Sequence, residues 1–114
     1  MKLTELIQKL NLSVRSAKMH LDREVTGGYA SDLLSDVLAN SEEGNLWITL
    51  QIHQNIVGVA SMKDLAGIIL VNNREPEQET LEKAELEKLP IMVTEMPTFE
   101  LVGRLYSLGI VGTK

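Results

Sequence analysis

The sequence predicts an α/β fold with a mainly parallel sheet and flanking helices. Three short apolar segments, 46–51, 67–71 and 91–94, are each followed by a segment in which apolar residues recur at helical spacing. Strand and helix therefore alternate three times, which favours parallel strands joined by right-handed crossovers. Because 114 residues is a usual length for one domain, we predict a single domain over residues 1–114.

The composition excludes several classes of function. A net charge of −5 and an aromatic content of 4% argue against a surface that neutralises phosphate backbones or stacks on bases. The absence of cysteine excludes disulfides and thiolate metal sites. No apolar stretch has the length of a membrane span, and the first residues do not resemble a signal peptide. We therefore expect a cytoplasmic protein without nucleic-acid or membrane partners.

The amino-terminal segment predicts one helix followed by extended chain. Apolar residues at i, i+3, i+4 and i+7 over 3–10 indicate a buried helix face that Asn11 can end. Apolar and polar residues then alternate over 12–14, and they alternate in the opposite phase over 17–21. The change of phase predicts a bulge or two short strands.

Thr26, Gly27 and Gly28 form the stretch that we interpret as a turn into a helix starting near Ser31. Gly27 is predicted to need a positive φ or a close backbone approach. Free amides at the following helix start would tolerate an anion. The alternative is an ordinary tight turn packed under the sheet.

The same helix is predicted to have a buried side and a solvated side. Its apolar positions recur at helical spacing. They are Leu33, Leu34, Val37 and Leu38. Asp32 and Asp36 lie on the opposite face, where we expect solvated carboxylates.

Turn and capping residues predict the limits of the remaining helices. Asn55 is expected to cap a short helix, Pro76 to lie in the first turn of the next, and Pro90 to stop it. Thr98 is expected to cap the last helix, which ends at Gly109.

Polar residues follow the predicted strands at the edge where parallel sheets bind ligands. The candidate ligand-binding residues are Thr26, Gly27, Gly28, His53, Asn55, Asn72 and Arg74. Further polar residues at the same ends are Gln51, Gln54, Asn73, Thr94 and Glu95. His53 can instead be structural, and Arg74 can be an ordinary surface charge. No phosphate-loop, dinucleotide, hydrolase or zinc-protease motif is present, so we expect no enzyme activity, no cofactor and no metal.

Segments 22–38, 47–73, 80–84 and 90–106 together resemble the DRTGG domain family. Asp22 and Arg23 are separated by two residues from Thr26, Gly27 and Gly28. The pattern is also similar to the amino-terminal domain of HPr kinase/phosphorylase. The resemblance implies a non-catalytic regulatory or ligand-sensing module, of a type attached to phosphotransacetylases and CBS domains. Free-standing members look like proteins encoded near iron-hydrogenase components, which implies redox or fermentative regulation.

We therefore expect a sensor that binds a small anionic metabolite or an adenine nucleotide and signals to a protein partner. The alternative is an interaction or oligomerisation module without a small ligand. A homodimer or higher assembly is expected, because a lone regulatory domain has no attached effector. Met62, Met92 and Met96 suit adaptable contacts, although core packing is the alternative for them.

Overall fold

The sheet has five strands in the part of the chain that the computed structural model describes, residues 1–112. Their bounds are β1 Ser13–Val14, β2 Gly27–Ala30, β3 Asn45–Thr49, β4 Gly67–Leu70 and β5 Ile91–Val93. The strand order is β1-β5-β4-β3-β2. Strands β2 to β5 pair in parallel and β1 pairs antiparallel to β5. The predicted α/β fold and the parallel pairing of the three apolar strands are confirmed.

Helices cover both faces of this sheet. Their bounds are α1 Leu3–Leu10, α2 Leu34–Asn40, α3 Asn55–Met62, α4 Gln78–Leu86 and α5 Thr98–Ser107. Alternate residues of each central strand face opposite sides. Trp47 and Ile68 pack with α2, α3 and α4, whereas Leu46 and Ile69 pack with α1 and α5. Strands buried on both faces have continuous apolar sequences, and for this reason the three central strands could be predicted from the sequence.

Gly27 and Gly28 lie in strand β2, so the prediction of a turn here is wrong. Gly27 pairs with Asn45 of β3, and the Gly28 amide donates to the Val111 carbonyl at 2.9 Å. A Cβ on Gly27 would lie 2.9 Å from that carbonyl oxygen. Among residues 1–112 the glycines with positive φ are Gly44 and Gly109. Gly27 therefore meets a close backbone approach and has no need of a positive φ.

Helix α2 begins at Leu34 and not near Ser31 as predicted. Asp32 precedes the helix, and its Oδ1 accepts hydrogen bonds from Thr49 Oγ1 and the Leu50 amide, both at 2.8 Å. These bonds hold Asp32, which lies at a bend, beside the end of β3, and Leu33 is extended before the helix begins. Asp32 is therefore a structural acceptor and does not lie on the helix.

The sides of α2 also differ from the prediction. Val37 is fully buried, whereas Leu33 is 63% exposed and Leu38 is exposed as well. Asp36 Oδ1 accepts a hydrogen bond from the Tyr29 hydroxyl at 2.8 Å. Because the helix starts late and lies beside the edge strand β2, only a narrow strip of it reaches the core.

The predicted helix ends are shifted by one or two residues. Asn55 and Thr98 are the first helical residues of α3 and α5, one position after their N-caps. Pro76 lies before α4, which begins at Gln78. Asn11 ends α1, as predicted, and it has the left-handed conformation. Gly109, with φ of 94°, follows α5.

The predicted change of phase after Val14 marks the end of β1. Ser16 is fully buried; its Oγ donates to the Leu89 carbonyl at 2.9 Å and accepts from the Ile91 amide at 3.0 Å. Hydrogen bonds of the Ser16 hydroxyl thus replace the backbone hydrogen bonds between β1 and β5, and β1 ends before this residue. No second strand forms over 17–21, where Met19 is 90% exposed.

The three methionines proposed as adaptable contacts differ in burial. Met92 is fully buried in the core, and Met96 packs against that core. Both therefore serve packing, the alternative that the sequence left open. Met62 at the end of α3 is exposed.

Candidate functional site

The sequence-predicted ligand residues lie at two opposite sides of the sheet: the amino edge, where the parallel strands begin, and the carboxyl edge, where they end. Gly27 pairs with Asn45, the first residue of β3, so Thr26, Gly27 and Gly28 lie at the amino edge. His53, Asn55, Asn72 and Arg74 follow the ends of β3 and β4 at the carboxyl edge. The structure does not bring these two groups together. Gly28 contributes to a separate apolar cavity of about 60 Å³, which is far below the size of a metabolite pocket.

Residues of the Asp-Arg and Thr-Gly-Gly stretches join loops at the amino edge. The Arg23 guanidinium donates to the Asp64 and Leu65 carbonyls at 2.9 and 3.2 Å, and to the Asp64 carboxylate. Thr26 Oγ1 donates to the Glu43 carbonyl at 2.8 Å. These bonds tie the chain before β2 to the loops that precede β3 and β4. The contacts of both side chains are therefore structural.

His53 joins two loops at the carboxyl edge. Its Nδ1 lies 2.9 Å from Glu77 Oε1. In the same region the Glu77 amide donates to the Ile52 carbonyl, which also accepts from Thr80 Oγ1 at 2.7 Å. The loop after β3 is thus held against the start of α4. These contacts match the structural alternative for His53.

Asn72 and Asn73 place the loop after β4 against the loop after β5. Both have a positive φ, 56° and 58°, a conformation that asparagine tolerates better than most residues. Their amides donate to the Met96 and Thr94 carbonyls at 3.0 and 2.8 Å. These two hydrogen bonds offset the conformational cost. Arg74 follows on the exposed side of the loop.

A polar cleft of about 500 Å³ lies at the carboxyl end of β5. It is lined by Leu10, Asn11, Ser13, Arg15, Asn73, Val93, Thr94, Glu95, Met96 and Arg104. Because β1 runs antiparallel to β5, the start of β1 meets the end of β5, and α5 closes the far side. The cleft has the volume of a small-molecule pocket.

Arg15 and Arg104 give this cleft its positive charge. Arg15 Nε and Nη2 donate to both carboxylate oxygens of Glu75 at 2.8 and 2.9 Å. This hydrogen bonding raises the pKa of Arg15 and lowers the pKa of Glu75. Arg104 Nε makes a longer contact of 3.4 Å to Glu100. Arg15 is therefore rigidly held, and Arg104 is much less constrained.

Only part of this lining follows from the positions of strand ends in the sequence. Asn73, Thr94 and Glu95 are polar residues at predicted strand ends. Arg15 lies at the change of phase after β1, a pattern that predicts only a bulge or two short strands. Arg104 lies in the last turn of α5 and does not directly follow a strand.

Within residues 1–112, no three histidine, cysteine, aspartate or glutamate side chains are grouped so that they could hold a metal ion. None of the described helices has the length and apolarity needed to cross a membrane.

The chain is similar in fold to a solved regulatory structure from Clostridium perfringens. That structure contains the CBS and DRTGG domains of the regulatory region of a pyrophosphatase, complexed with its activator diadenosine tetraphosphate. The alignment covers 99% of this chain and 50% of that one, with a TM-score of 0.70 and 14% identity. The chain thus spans about half the length of that structure. No family model and no curated protein matches the sequence. The structural likeness supports a DRTGG-like fold.

Proposed function

We propose that residues 1–114 form a single non-catalytic regulatory domain of the DRTGG type that senses a small anionic metabolite. The cleft at the carboxyl end of β5 carries this proposal, because it combines metabolite size with two guanidinium groups. The likeness to a regulatory region that binds a nucleotide activator supports the same function.

The position of the cleft suits signalling. Its lining comes from the end of α1, from β1, from the loops after β4 and β5, and from α5. A ligand that contacts all of them would restrain their relative movement, and a partner could read that change. The resemblance to free-standing DRTGG proteins encoded near iron-hydrogenase components extends the proposal to redox or fermentative metabolism.

Thermal unfolding of the chain with a panel of anions tests this function. Nucleotides, acyl phosphates, sugar phosphates and carboxylates are compared with sodium chloride at equal ionic strength. A ligand of the folded state at one hundred times its Kd adds about 2.7 kcal/mol of stability, so we expect a clear rise in Tm with at least one organic anion. Equal Tm values across the panel would contradict the sensing function.

The second candidate function is a protein-interaction module, and exposed apolar side chains favour it. Phe99 is 92% exposed, Leu86 81% and Met62 73%. Large apolar side chains of this kind are typical of interface centres. The expected homodimer is consistent with this second function, because exposed apolar side chains can form a contact between two copies of the chain. Light scattering at high micromolar concentration should give twice the chain mass, and a monomer mass would contradict the dimer.

A further inference from the structure

The two guanidinium groups of the cleft differ in how much of their hydrogen-bonding capacity is used. Arg15 is engaged at Nε and Nη2 by both oxygens of Glu75. Within residues 1–112, the side chain of Arg104 makes one hydrogen bond, from Nε to Glu100 at 3.4 Å. Both Nη groups of Arg104 can therefore bind an anion without breaking a bidentate pair.

The other charges of the cleft limit the charge of that anion. Glu75 balances Arg15, Glu100 accepts the 3.4 Å contact from Arg104 Nε, and Glu95 also lines the cleft. Because two guanidinium groups are accompanied by three carboxylates, the site suits a single phosphate group attached to a neutral part with N–H or O–H donors. A second or third phosphate would have no further cation to balance its charge.

The size and walls of the cleft require an organic part on the ligand. A volume of about 500 Å³ exceeds what a phosphate ion alone can fill. Leu10, Val93 and Met96 contribute apolar residues to the lining, and Asn73 and Thr94 contribute polar ones. This mixture suits a small molecule with both apolar surface and hydrogen-bonding groups.

We propose that the cleft binds a phosphomonoester whose organic part carries amino or hydroxyl groups, and that Arg104 contacts its phosphate. A nucleoside monophosphate and a sugar monophosphate share this chemistry. The inference rests on the proposed function and names the ligand class for that same cleft.

Calorimetric titration of the full 114-residue chain tests the ligand class. The probes are AMP, glucose 6-phosphate, ATP and inorganic phosphate. We expect AMP or glucose 6-phosphate to bind at least about tenfold more tightly than inorganic phosphate, and AMP to bind more tightly than ATP. The better of the two monophosphates identifies the organic part. Binding of inorganic phosphate as tight as that of both esters, or tighter binding of ATP than AMP, would overturn the proposal.

The charge-matched variants Arg104→Gln and Lys18→Gln test the residue assignment. Both cations are exposed, but Lys18 does not line the cleft. Arg104→Gln should weaken binding of the monophosphate at least about tenfold with an unchanged urea midpoint, and Lys18→Gln should bind like the parent. Equal binding by Arg104→Gln would overturn the inference. If only anions other than phosphomonoesters bind, the inference fails and the sensing function stands; if no anion binds, both fail.

Discussion

Replacement of Gly27 by valine should destabilise the fold, because the strand β2 has no room for a side chain at this position. A Cβ there would lie 2.9 Å from the Val111 carbonyl oxygen and 3.4 Å from Asn45 Nδ2. The first of these is a backbone atom, so a rotamer change cannot relieve the contact. The strain can be relieved only if the segment after α5 moves away from β2.

That movement has a cost that can be worked out from the contacts it breaks. It breaks the hydrogen bond from the Gly28 amide to the Val111 carbonyl, which contributes about 0.5–1.5 kcal/mol. It also exposes part of Ile110, which is buried; full exposure of such a side chain costs about 1.5–3 kcal/mol. The higher strand propensity of valine offsets up to about 1 kcal/mol of this cost. We therefore expect Gly27→Val to lower the free energy of unfolding by about 1–3 kcal/mol.

Urea unfolding of Gly27→Val, Gly27→Ala and Gly28→Ala measures this cost with a control on the same strand. A Cβ on Gly28 meets its nearest atoms at 3.8 Å, an ordinary contact, so Gly28→Ala should leave the midpoint unchanged or raise it slightly. Gly27→Ala should lie between the parent and the valine variant. Equal midpoints for Gly27→Ala and Gly28→Ala would refute the reasoning.

Two further stability predictions concern the side-chain contacts of Ser16 and Arg15 after β1. Ser16→Ala leaves the buried Ile91 amide without an acceptor, so we expect a loss of about 1–3 kcal/mol in urea unfolding; a loss below that range would contradict it. Glu75→Gln should cost about 0.5–1 kcal/mol at pH 7, since its pair with Arg15 is bidentate but half exposed. Because Arg15 lowers the pKa of Glu75 below 4.5, the pair stabilises the fold above pH 4.5. This contribution is lost as the pH falls through the lower, folded-state pKa, so parent and variant midpoints should converge in acid. A difference that persists there would exclude the pair as its cause.

The strands that could be predicted from the sequence are those whose own residues are continuously apolar. Segments such as 67–71 are continuously apolar because helices cover both of their faces. Strand β2 has the sequence Gly-Gly-Tyr-Ala, which has weak strand propensity. Its conformation depends on pairing with β3 and on the carbonyl of Val111, more than eighty residues away. The local pattern of apolar and polar residues cannot predict contacts between residues so far apart in the sequence.

The cleft was only partly predictable for a related reason. Polar residues after β4 and β5 could be assigned to the carboxyl edge, because parallel strands end there together. The Arg15 backbone lies beside Ile91, the first residue of β5, and its long side chain reaches Glu75 in the loop after β4 and so lines the cleft. A strand of two residues gives too little pattern to predict its pairing or the direction of the side chain that follows it. The contribution of Arg15 to the cleft therefore depends on tertiary contacts that local periodicity does not indicate.

The amino and carboxyl edges of the sheet differ in whether their side chains are used in structural hydrogen bonds or are available for a ligand. At the amino edge, Arg23 and Thr26 use their side-chain donors on the carbonyls of neighbouring loops, so changes to them should alter stability first. At the carboxyl edge, Asn73 is fixed through its backbone amide, and it lines the cleft together with Arg104. Backbone hydrogen bonds position Asn73, whereas the Glu75 side chain in the same loop is bound by Arg15. Substitutions of Asn73 and Arg104 can therefore change binding while the fold is preserved, and this separation makes the proposed site testable by mutation.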